Sequence, residues 1–133
     1  MMKTKEDDYG SFAGLVVRDA DLMLGFYQNV LGMKLVHTDD GDEGLTKYYL
    51  TYSGGMLKLF AYDEPPELNT TVFSAVTGYR LNTYLVTNMA ELFKALEDNE
   101  VKIVSAPQPT GNGQTWMMIE DPEGNMIEMA GTG

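Results

Sequence analysis

Apolar and polar positions follow the same order twice along this chain. Each copy begins with a short apolar run typical of a strand, continues with apolar residues at helical spacing, and ends with alternating segments. Three blocks repeat 68 to 70 positions apart: 12–17 with 81–86, 32–36 with 100–104, and 54–59 with 124–129. Because a fixed repeat distance is the signature of repeated structural units, we predict two βαβββ units.

The first unit is predicted to span about residues 10–62. Asp19 can cap a helix that starts near Ala20, and Gly32 suits the position just past its end. The apolar face of this helix is predicted to hold Leu22, Phe26, Val30 and Leu31. Strands are predicted at 11–17, 33–37, 47–52 and 56–62, with an acidic turn at 39–44 and a tight turn at 53–55.

The second unit is predicted to span about residues 79–131. Asn88 is expected to cap its helix, whose apolar face is predicted to hold Met89, Leu92, Phe93 and Leu96. Strands are predicted at 80–87, 101–105 (ending at Pro107), 114–120 and 126–130. In the turn at 121–125, Asp121 can accept bonds from the backbone ahead of it, and Gly124 can take a positive φ.

Two such units predict an α+β fold with eight strands and two helices in a single domain over residues 1–133, joined by a loop at about 63–78. That loop is also a candidate flap. Strand alternation assigns Leu57, Leu59, Ile127 and Met129 to the helix side of the sheets. It assigns Met56, Lys58, Phe60, Met126, Glu128 and Ala130 to the opposite side. Two curved mixed sheets sharing that opposite side would form a cup.

Composition limits the classes of function. The chain has no cysteine, which excludes disulfides, thiolate metal sites and a cysteine nucleophile. It has no apolar run of about 18 residues and no signal-peptide pattern, so a soluble cytoplasmic protein is expected. The net charge of −11 argues against nucleic acids and membranes as partners. The charge suits a cationic ligand, although solubility explains it more simply.

Two motifs go beyond periodicity. The first runs over residues 14–19 (GLVVRD) and continues with FY at 26–27 and VLGM at 30–33. The second covers residues 121–129 (DPEGNMIEM). Together they resemble the vicinal oxygen chelate superfamily, the group of glyoxalases, bleomycin-resistance proteins and extradiol dioxygenases. The resemblance implies the paired-module fold, and it implies a homodimer because relatives of this length commonly pair.

The resemblance also implies four metal-ligand positions, one on the first and one on the last strand of each unit, usually His, Gln or Glu. They map to Phe12, Lys58, Leu81 and Glu128. A phenyl ring and a leucine offer no lone pair, and an ammonium repels a cation, so we expect neither a metal nor another cofactor. The single histidine, His37, is interpreted as a surface or strand-edge residue.

The remaining chemistry is predicted on the side of the sheets away from the helices. Lys58 and Glu128 occupy equivalent repeat positions and are predicted to pair in place of the ion. The other predicted ligand-binding residues are Phe12, Tyr49, Phe60, Leu81, Trp116 and Met118. No nucleophile–base arrangement is visible, and Glu128 is the candidate catalytic base.

Three functions follow. The first is a metal-free protein that sequesters a small aromatic or cationic compound such as an antibiotic, in the manner of the resistance members of the superfamily. The second is a glyoxalase-, isomerase- or dioxygenase-like enzyme with an atypical or metal-free site that uses Glu128. The third is a dimerisation or interaction domain without a small ligand. The missing metal ligands favour the first, and fold alone cannot choose among them.

Overall fold

The computed structural model describes residues 1–3 and 11–133 of the chain. They form two compact units, unit 1 (residues 1–68) and unit 2 (residues 69–133). Each unit holds one helical segment and one four-stranded mixed sheet, which confirms the α+β prediction of two βαβββ modules. The predicted start of the first module, at about residue 10, lies outside the described residues. No helix in the described part of the chain is long and apolar enough to cross a membrane.

Unit 1 runs strand, helix and three strands. Its elements are β1 (Phe12–Val17), α1 (Ala20–Gly25) continued by a π-helical turn (Phe26–Val30), β2 (Lys34–Asp42), β3 (Leu45–Tyr52) and β4 (Gly55–Tyr62). The sheet order is β1-β4-β3-β2. Strand β1 is parallel to β4, and the other neighbours are antiparallel.

Unit 2 repeats this topology. Its elements are β5 (Leu81–Val86), α2 (Met89–Asp98), β6 (Ile103–Pro109), β7 (Thr115–Glu120) and β8 (Met126–Gly131). The sheet order is β5-β8-β7-β6, again with one parallel pair, β5 with β8, and two antiparallel pairs. The linker before β5 is anchored near both ends. Arg18 donates to the carbonyl of Pro66 at 2.8 Å, and Arg80 donates to the carbonyl of Phe73 at 2.8 Å.

The buried faces of both sheets follow the predicted alternation. Leu57, Leu59, Ile127 and Met129 are at most 2% exposed, whereas the residues between them are half-buried. Because successive strand residues point to opposite faces, one buried row leaves the other row free for function. The four residues predicted to face the helices are therefore buried.

The π-helical turn explains a detail of the repeat. The repeat distance falls from 69 to 68 between the first two blocks, so unit 1 carries one residue more than unit 2 between them. The amide of Leu31 donates to the carbonyl of Phe26 at 3.1 Å, five residues back instead of four. A π-turn holds one inserted residue without ending the helix, so this turn absorbs the extra residue.

The predicted apolar face of the first helix was partly wrong. Leu22 is 50% exposed, and the buried residues are Met23, Phe26 and Tyr27. These three stand at i, i+3 and i+4, which is the spacing of a single helix face. The predicted cap is confirmed, since the Asp19 carboxylate accepts from the Leu22 amide at 3.0 Å.

The acidic turn is shorter than predicted. Strand β2 continues through Asp42, and the reversal occurs at residues 43–44, where Gly44 has φ +75°. Lys47 on the facing strand stabilises this extension because it lies opposite Asp39 and pairs with Asp42 at 3.1 Å. Opposite charges across the two strands thus stabilise strand pairing in this acidic segment.

Two predictions in unit 2 were also wrong in detail. The Asn88 side chain makes no capping bond; the first helical amides, of Met89 and Ala90, donate to the carbonyls of Thr132 and Gly133 instead. Strand β6 starts later than predicted and continues past Pro107. A proline is tolerated there because β6 is an edge strand that bonds only to β7, so the missing amide breaks no second ladder.

Candidate functional site

The face of the unit 1 sheet opposite the buried row is called here the open face of unit 1. Its residues are Phe12, Gly14 and Val16 on β1, Met56, Lys58 and Phe60 on β4, Lys47, Tyr49 and Thr51 on β3, and His37 and Asp39 on β2. Cross-strand register joins them into rows, because side chains directly opposite one another on one face are neighbours. Lys58 lies in the middle row, between Gly14 and Tyr49.

The Lys58 ammonium is held by two aromatic rings. Its Nζ atom lies 5.2 Å from the ring centroid of Phe12 and 5.4 Å from that of Tyr49. Both distances lie within the range in which the negative face of an aromatic ring attracts a cation. Lys58 is half-buried, so the open face of unit 1 presents a positive charge set between two ring faces.

His37 extends this aromatic group. Its ring centroid lies 5.3 Å from that of Tyr49, and the two residues are register partners. The strand-edge interpretation is correct, since β2 is the edge of the sheet. The contact with Tyr49 was not predictable from alternation, because a register shift between Leu35 and His37 moves His37 to the side opposite the one that alternation assigns.

Gly14 allows a third ring to lie against the strand. A Cβ atom at Gly14 would come within 3.1 Å of the Phe60 ring, closer than ordinary van der Waals contact. The Phe60 ring therefore covers the position beside Lys58 that a larger residue would fill. The open face of unit 1 thus combines three rings and one imidazole with the central Lys58 ammonium.

The charges around Lys58 are unusual for so acidic a chain. Its eight nearest positions on the open face include no carboxylate: Gly14, Tyr49, Met56, Phe60, Phe12, Val16, Lys47 and Thr51. The one other charged residue among them, Lys47, is already paired with Asp42. That hydrogen bond, with the attraction of the carboxylate, raises the pKa of Lys47 above its usual value.

The equivalent face of the second sheet is called the open face of unit 2. Its residues are Leu81, Thr83 and Leu85 on β5, Met126, Glu128 and Ala130 on β8, and Trp116, Met118 and Glu120 on β7. Glu128 takes the middle position, between Thr83 and Met118. Its Oε1 atom accepts a hydrogen bond from the Thr83 hydroxyl at 3.1 Å, which orients the carboxylate.

Trp116 lies two residues before Met118 on the open face of unit 2. It is half-buried, and its register partners are the small Ala130 and the polar Gln108. Glu120, the other acidic residue of this face, pairs with Lys102 at 3.0 Å. Within the described residues, Glu128 is therefore the one carboxylate of this face that forms no ion pair with a lysine.

The structure thus divides the eight predicted ligand-binding residues between two faces. Phe12, Tyr49, Lys58 and Phe60 lie together on the open face of unit 1, and Leu81, Trp116, Met118 and Glu128 lie together on that of unit 2. Lys58 and Glu128 belong to different units and make the contacts described above within their own sheets. Their pairing stays a prediction.

Unit 2 also has a groove away from its open face. It encloses about 460 Å³ and is lined mainly by apolar side chains of α2 and β6, including Met89, Phe93 and Pro107. Lys94 at its rim already pairs with Asp98 at 2.9 Å. The groove therefore offers a concave apolar surface with few free polar groups, whereas the open faces combine apolar surface with a central charge.

Comparison with known proteins identifies the family. Residues 10–129 match the model of the Glyoxalase/Bleomycin resistance protein/Dioxygenase superfamily. The chain belongs to this superfamily. It is 30% identical over 122 residues to a lactoylglutathione lyase of Escherichia coli O157:H7 and 28% identical over 127 residues to that of Salmonella typhimurium, with 86% of each chain covered in both cases.

A solved glyoxalase family protein from Enterococcus faecalis superimposes with a TM-score of 0.73. The match covers 90% of this chain and 94% of that one at 16% identity. At so low an identity the likeness supports the fold alone. The match over residues 10–129 shows the family and this likeness supports the fold, so the chemistry has to come from the residues on the open faces.

The residues at the four positions where the resemblance implies metal ligands do not fit a divalent ion. Phe12, Lys58 and Leu81 have no lone pair to donate, and Glu128 alone supplies one carboxylate. The described residues contain no group of three or more His, Cys, Asp or Glu that could hold an ion. Lys58 instead brings a positive charge to one of these positions, and the two rings beside it hold that charge.

Proposed function

We propose that this protein is a metal-independent small-molecule-binding protein of the glyoxalase/bleomycin-resistance type, and that its ligand is an aromatic compound. One observation carries the proposal. At a position where the superfamily resemblance implies a metal ligand, Lys58 lies between the rings of Phe12 and Tyr49. A cation at that position opposes metal binding, while the exposed ring faces suit a flat ligand.

The composition of both open faces supports an aromatic ligand. Small-molecule sites are mostly apolar with a few fixed polar groups. Unit 1 has Phe12, Tyr49 and Phe60 around one ammonium, and unit 2 has Trp116 and Met118 near one carboxylate. Each face therefore offers stacking surface with a central charge that can orient the ligand.

The test is a panel of one- and two-ring aromatic compounds, measured by thermal shift and then by calorimetry, with and without EDTA. We expect at least one compound to raise the melting temperature, with the same affinity in both conditions. Elemental analysis of protein purified without a metal-affinity step should find no stoichiometric Zn, Ni, Fe or Mn. A bound ion in a one-to-one ratio, or binding abolished by EDTA, would overturn metal independence.

Matched variants locate the site. Tyr49→Leu removes one of the two rings beside Lys58. It should lower the affinity for the tightest-binding compound at least fivefold, because stacking on that ring is lost. Tyr79→Leu removes an aromatic ring that is fully exposed in the linker and should leave the affinity unchanged. Equal effects of both variants would argue against the open face of unit 1 as the binding surface.

The lactoylglutathione lyase relatives favour a second candidate, a glyoxalase-like enzyme that uses Glu128 as its base. The Thr83 hydroxyl, 3.1 Å away, orients this carboxylate. The assay uses methylglyoxal and glutathione with added Ni²⁺ or Zn²⁺, and we expect no turnover above background. Turnover that Glu128→Gln abolishes and Glu120→Gln leaves intact would favour the enzyme over the binding protein.

We also propose that the protein forms a homodimer. Strands β1 and β5 lie at the edges of their sheets, and each exposes an apolar residue on its open face: Val16 is 54% and Leu85 is 85% exposed. Exposed edges of this kind are usually covered by another chain or element. Light scattering at about 50 μM, well above the Kd of a typical specific dimer, should give the dimer mass.

A pair of lysine substitutions tests which surface the dimer uses. Leu85→Lys should shift the dimer toward monomer, because a charge on an apolar contact surface must be desolvated when the chains pair. Thr77→Lys, in the exposed linker, is the control and should leave the mass unchanged. A monomer mass for the native protein would overturn the dimer proposal and leave the binding proposal untouched.

A further inference from the structure

The donors of Lys58 remain available to a ligand. An ammonium carries three N–H groups, and within the described residues the contacts of Lys58 are the ring faces of Phe12 and Tyr49. A ring face attracts the charge without supplying a counter-charge. Lys58 thus holds an oriented positive charge that no carboxylate of the unit 1 sheet neutralises.

Three other lysines of the chain behave differently. Lys47 pairs with Asp42, Lys94 with Asp98, and Lys102 with Glu120, at distances of 2.9 to 3.1 Å. With 20 acidic residues available in the chain, carboxylate partners are common. The exclusion of carboxylates from all eight positions around Lys58 therefore sets this lysine apart from these three.

The rings beside Lys58 can hold the rest of a ligand. Tyr49 has Lys58 on one side and His37 on the other, with 5.3 Å between the Tyr49 and His37 ring centroids. Phe12 is 45% exposed, so part of its ring surface is free. A flat ring stacked on these residues can direct an attached carboxylate to the Lys58 ammonium, where charge-assisted hydrogen bonds are short and strong.

From these contacts we infer that the open face of unit 1 selects aromatic anions, with Lys58 binding the carboxylate or phenolate of the ligand. The inference rests on the function proposed above and names the ligand class of that same face. The acidic composition suggests a cationic ligand, whereas this inference gives an anionic one. Salt screens distant charges over about 10 Å at 0.1 M ionic strength, so the charges close to the site matter more than the net charge of the chain. Both the ring and the negative group are required, so acetate should not bind.

The test uses three probes of nearly equal shape: 2-naphthoate, the uncharged 2-naphthamide and the cationic 2-naphthylmethylamine. Calorimetry on the full chain at pH 7.5 should give naphthoate an affinity at least tenfold higher than naphthamide, with the amine weakest. Lys58→Met should lower the affinity for naphthoate to that for naphthamide, and the affinity for naphthamide should change less than twofold. Lys58→Arg should keep the preference for the carboxylate.

Lys94→Met is the matched control. It removes the same charge from a lysine that is already paired, on a helix of unit 2, and should leave all three affinities unchanged. If Lys58→Met does not fold, the ranking of the probes in the native protein and in Lys58→Arg still decides the question.

The outcomes separate this inference from the function on which it rests. Equal affinities of naphthoate and naphthamide in the native protein would overturn the role of Lys58 and leave aromatic binding intact. A higher affinity for the amine would overturn anion selectivity in favour of a cationic ligand. No binding of any probe at millimolar concentration would contradict the proposed function itself.

Discussion

The middle rows of the two open faces occupy the same register on the same topology. From one edge strand to the other, they read His37, Tyr49, Lys58 and Gly14 in unit 1, and Ser105, Met118, Glu128 and Thr83 in unit 2. The central charge is a cation held by ring faces in one unit and an anion held by a hydroxyl in the other.

The buried rows behind these charges hardly differ. Leu57 and Leu59 in unit 1 correspond to Ile127 and Met129 in unit 2, and all four are apolar and buried. Packing at crystal-like density constrains a buried row strongly, because every change of volume is felt by its neighbours. The open row carries no such constraint. Two units of the same topology can therefore keep the same fold while the central charge of the open face differs in sign.

The largest expected effect tests this contrast between faces. Leu59→Ala and Met129→Ala should each lower the free energy of unfolding by about 2–5 kcal/mol, the range for truncating a buried aliphatic side chain. Lys58→Met, one position away from Leu59, should cost about 1 kcal/mol, because a half-buried cation–π contact lies between the exposed and the desolvated case. Urea unfolding measures all three, and a Lys58→Met loss as large as that of Leu59→Ala would make Lys58 a structural residue.

The next largest difference in stability is expected between the turns before β4 and β8. Asp121 is 4% exposed, and its Oδ1 accepts from the amides of Glu123 and Asn125 at 3.0 and 2.9 Å. Asp121→Ala leaves these donors without the carboxylate and should cost about 2–3 kcal/mol in chemical denaturation. Asp121→Asn, which keeps one acceptor oxygen, should lower the free energy of unfolding by less than Asp121→Ala does.

The corresponding turn in unit 1 provides the comparison. It is a two-residue turn at Ser53 and Gly54, between the register partners Tyr52 and Gly55. Because Ser53 is exposed, Ser53→Ala should change stability by less than about 0.5 kcal/mol. Equal losses at Asp121 and Ser53 would contradict the view that only the longer turn depends on a side chain.

A smaller effect separates the two helix starts. The Asp19 carboxylate caps α1 through the Leu22 amide, so Asp19→Ala should cost about 1 kcal/mol. Asn88→Ala should cost less than about 0.5 kcal/mol, since α2 is capped by backbone carbonyls of residues 132 and 133. Thermal unfolding of both variants measures the difference, and a larger loss at Asn88 would reverse the assignment.

The smallest effect concerns the helix ends. Gly32 and Glu100 are equivalent in the repeat, and both have positive φ, +77° and +57°. Gly32→Ala should cost about 1 kcal/mol, because a Cβ is disfavoured in this conformation. Glu100→Gly should stabilise the protein by about 0.5 kcal/mol, since relief of that strain exceeds the added chain entropy. A destabilised Glu100→Gly would mean that the glutamate side chain has a role that offsets its backbone strain.

Much of the fold could be predicted because its signals are local and periodic. Alternation in residues 56–59 and 126–129 is enough to identify the buried rows, and the spacing of the repeated blocks is enough to count the units. The turn around Asp121 was also predictable, since an Asp-Pro-Glu-Gly sequence fixes its own backbone bonds. The same alternation identified the open-face residues Lys58 and Glu128 before any contact was known.

The errors fell where a distant segment decides the local outcome. Asn88 is a good capping residue by type, but carbonyls more than 40 positions away along the chain take its role. Leu22 and Met23 are equally apolar, and only packing chose Met23 for the core. The extension of β6 past Pro107 depends on its being an edge strand, which is a property of the sheet and not of the segment.

The sequence by itself determined the two units, their strand order along the chain and which side chains share a face within an uninterrupted strand, because hydrophobic periodicity is read residue by residue. Tertiary structure alone decided that two rings flank Lys58 and that His37 joins Tyr49. These contacts depend on strand register, and a shift of one position, as at Leu35 to His37, moves a side chain to the other face. Register is set by pairing between segments, so no single segment of the sequence contains it.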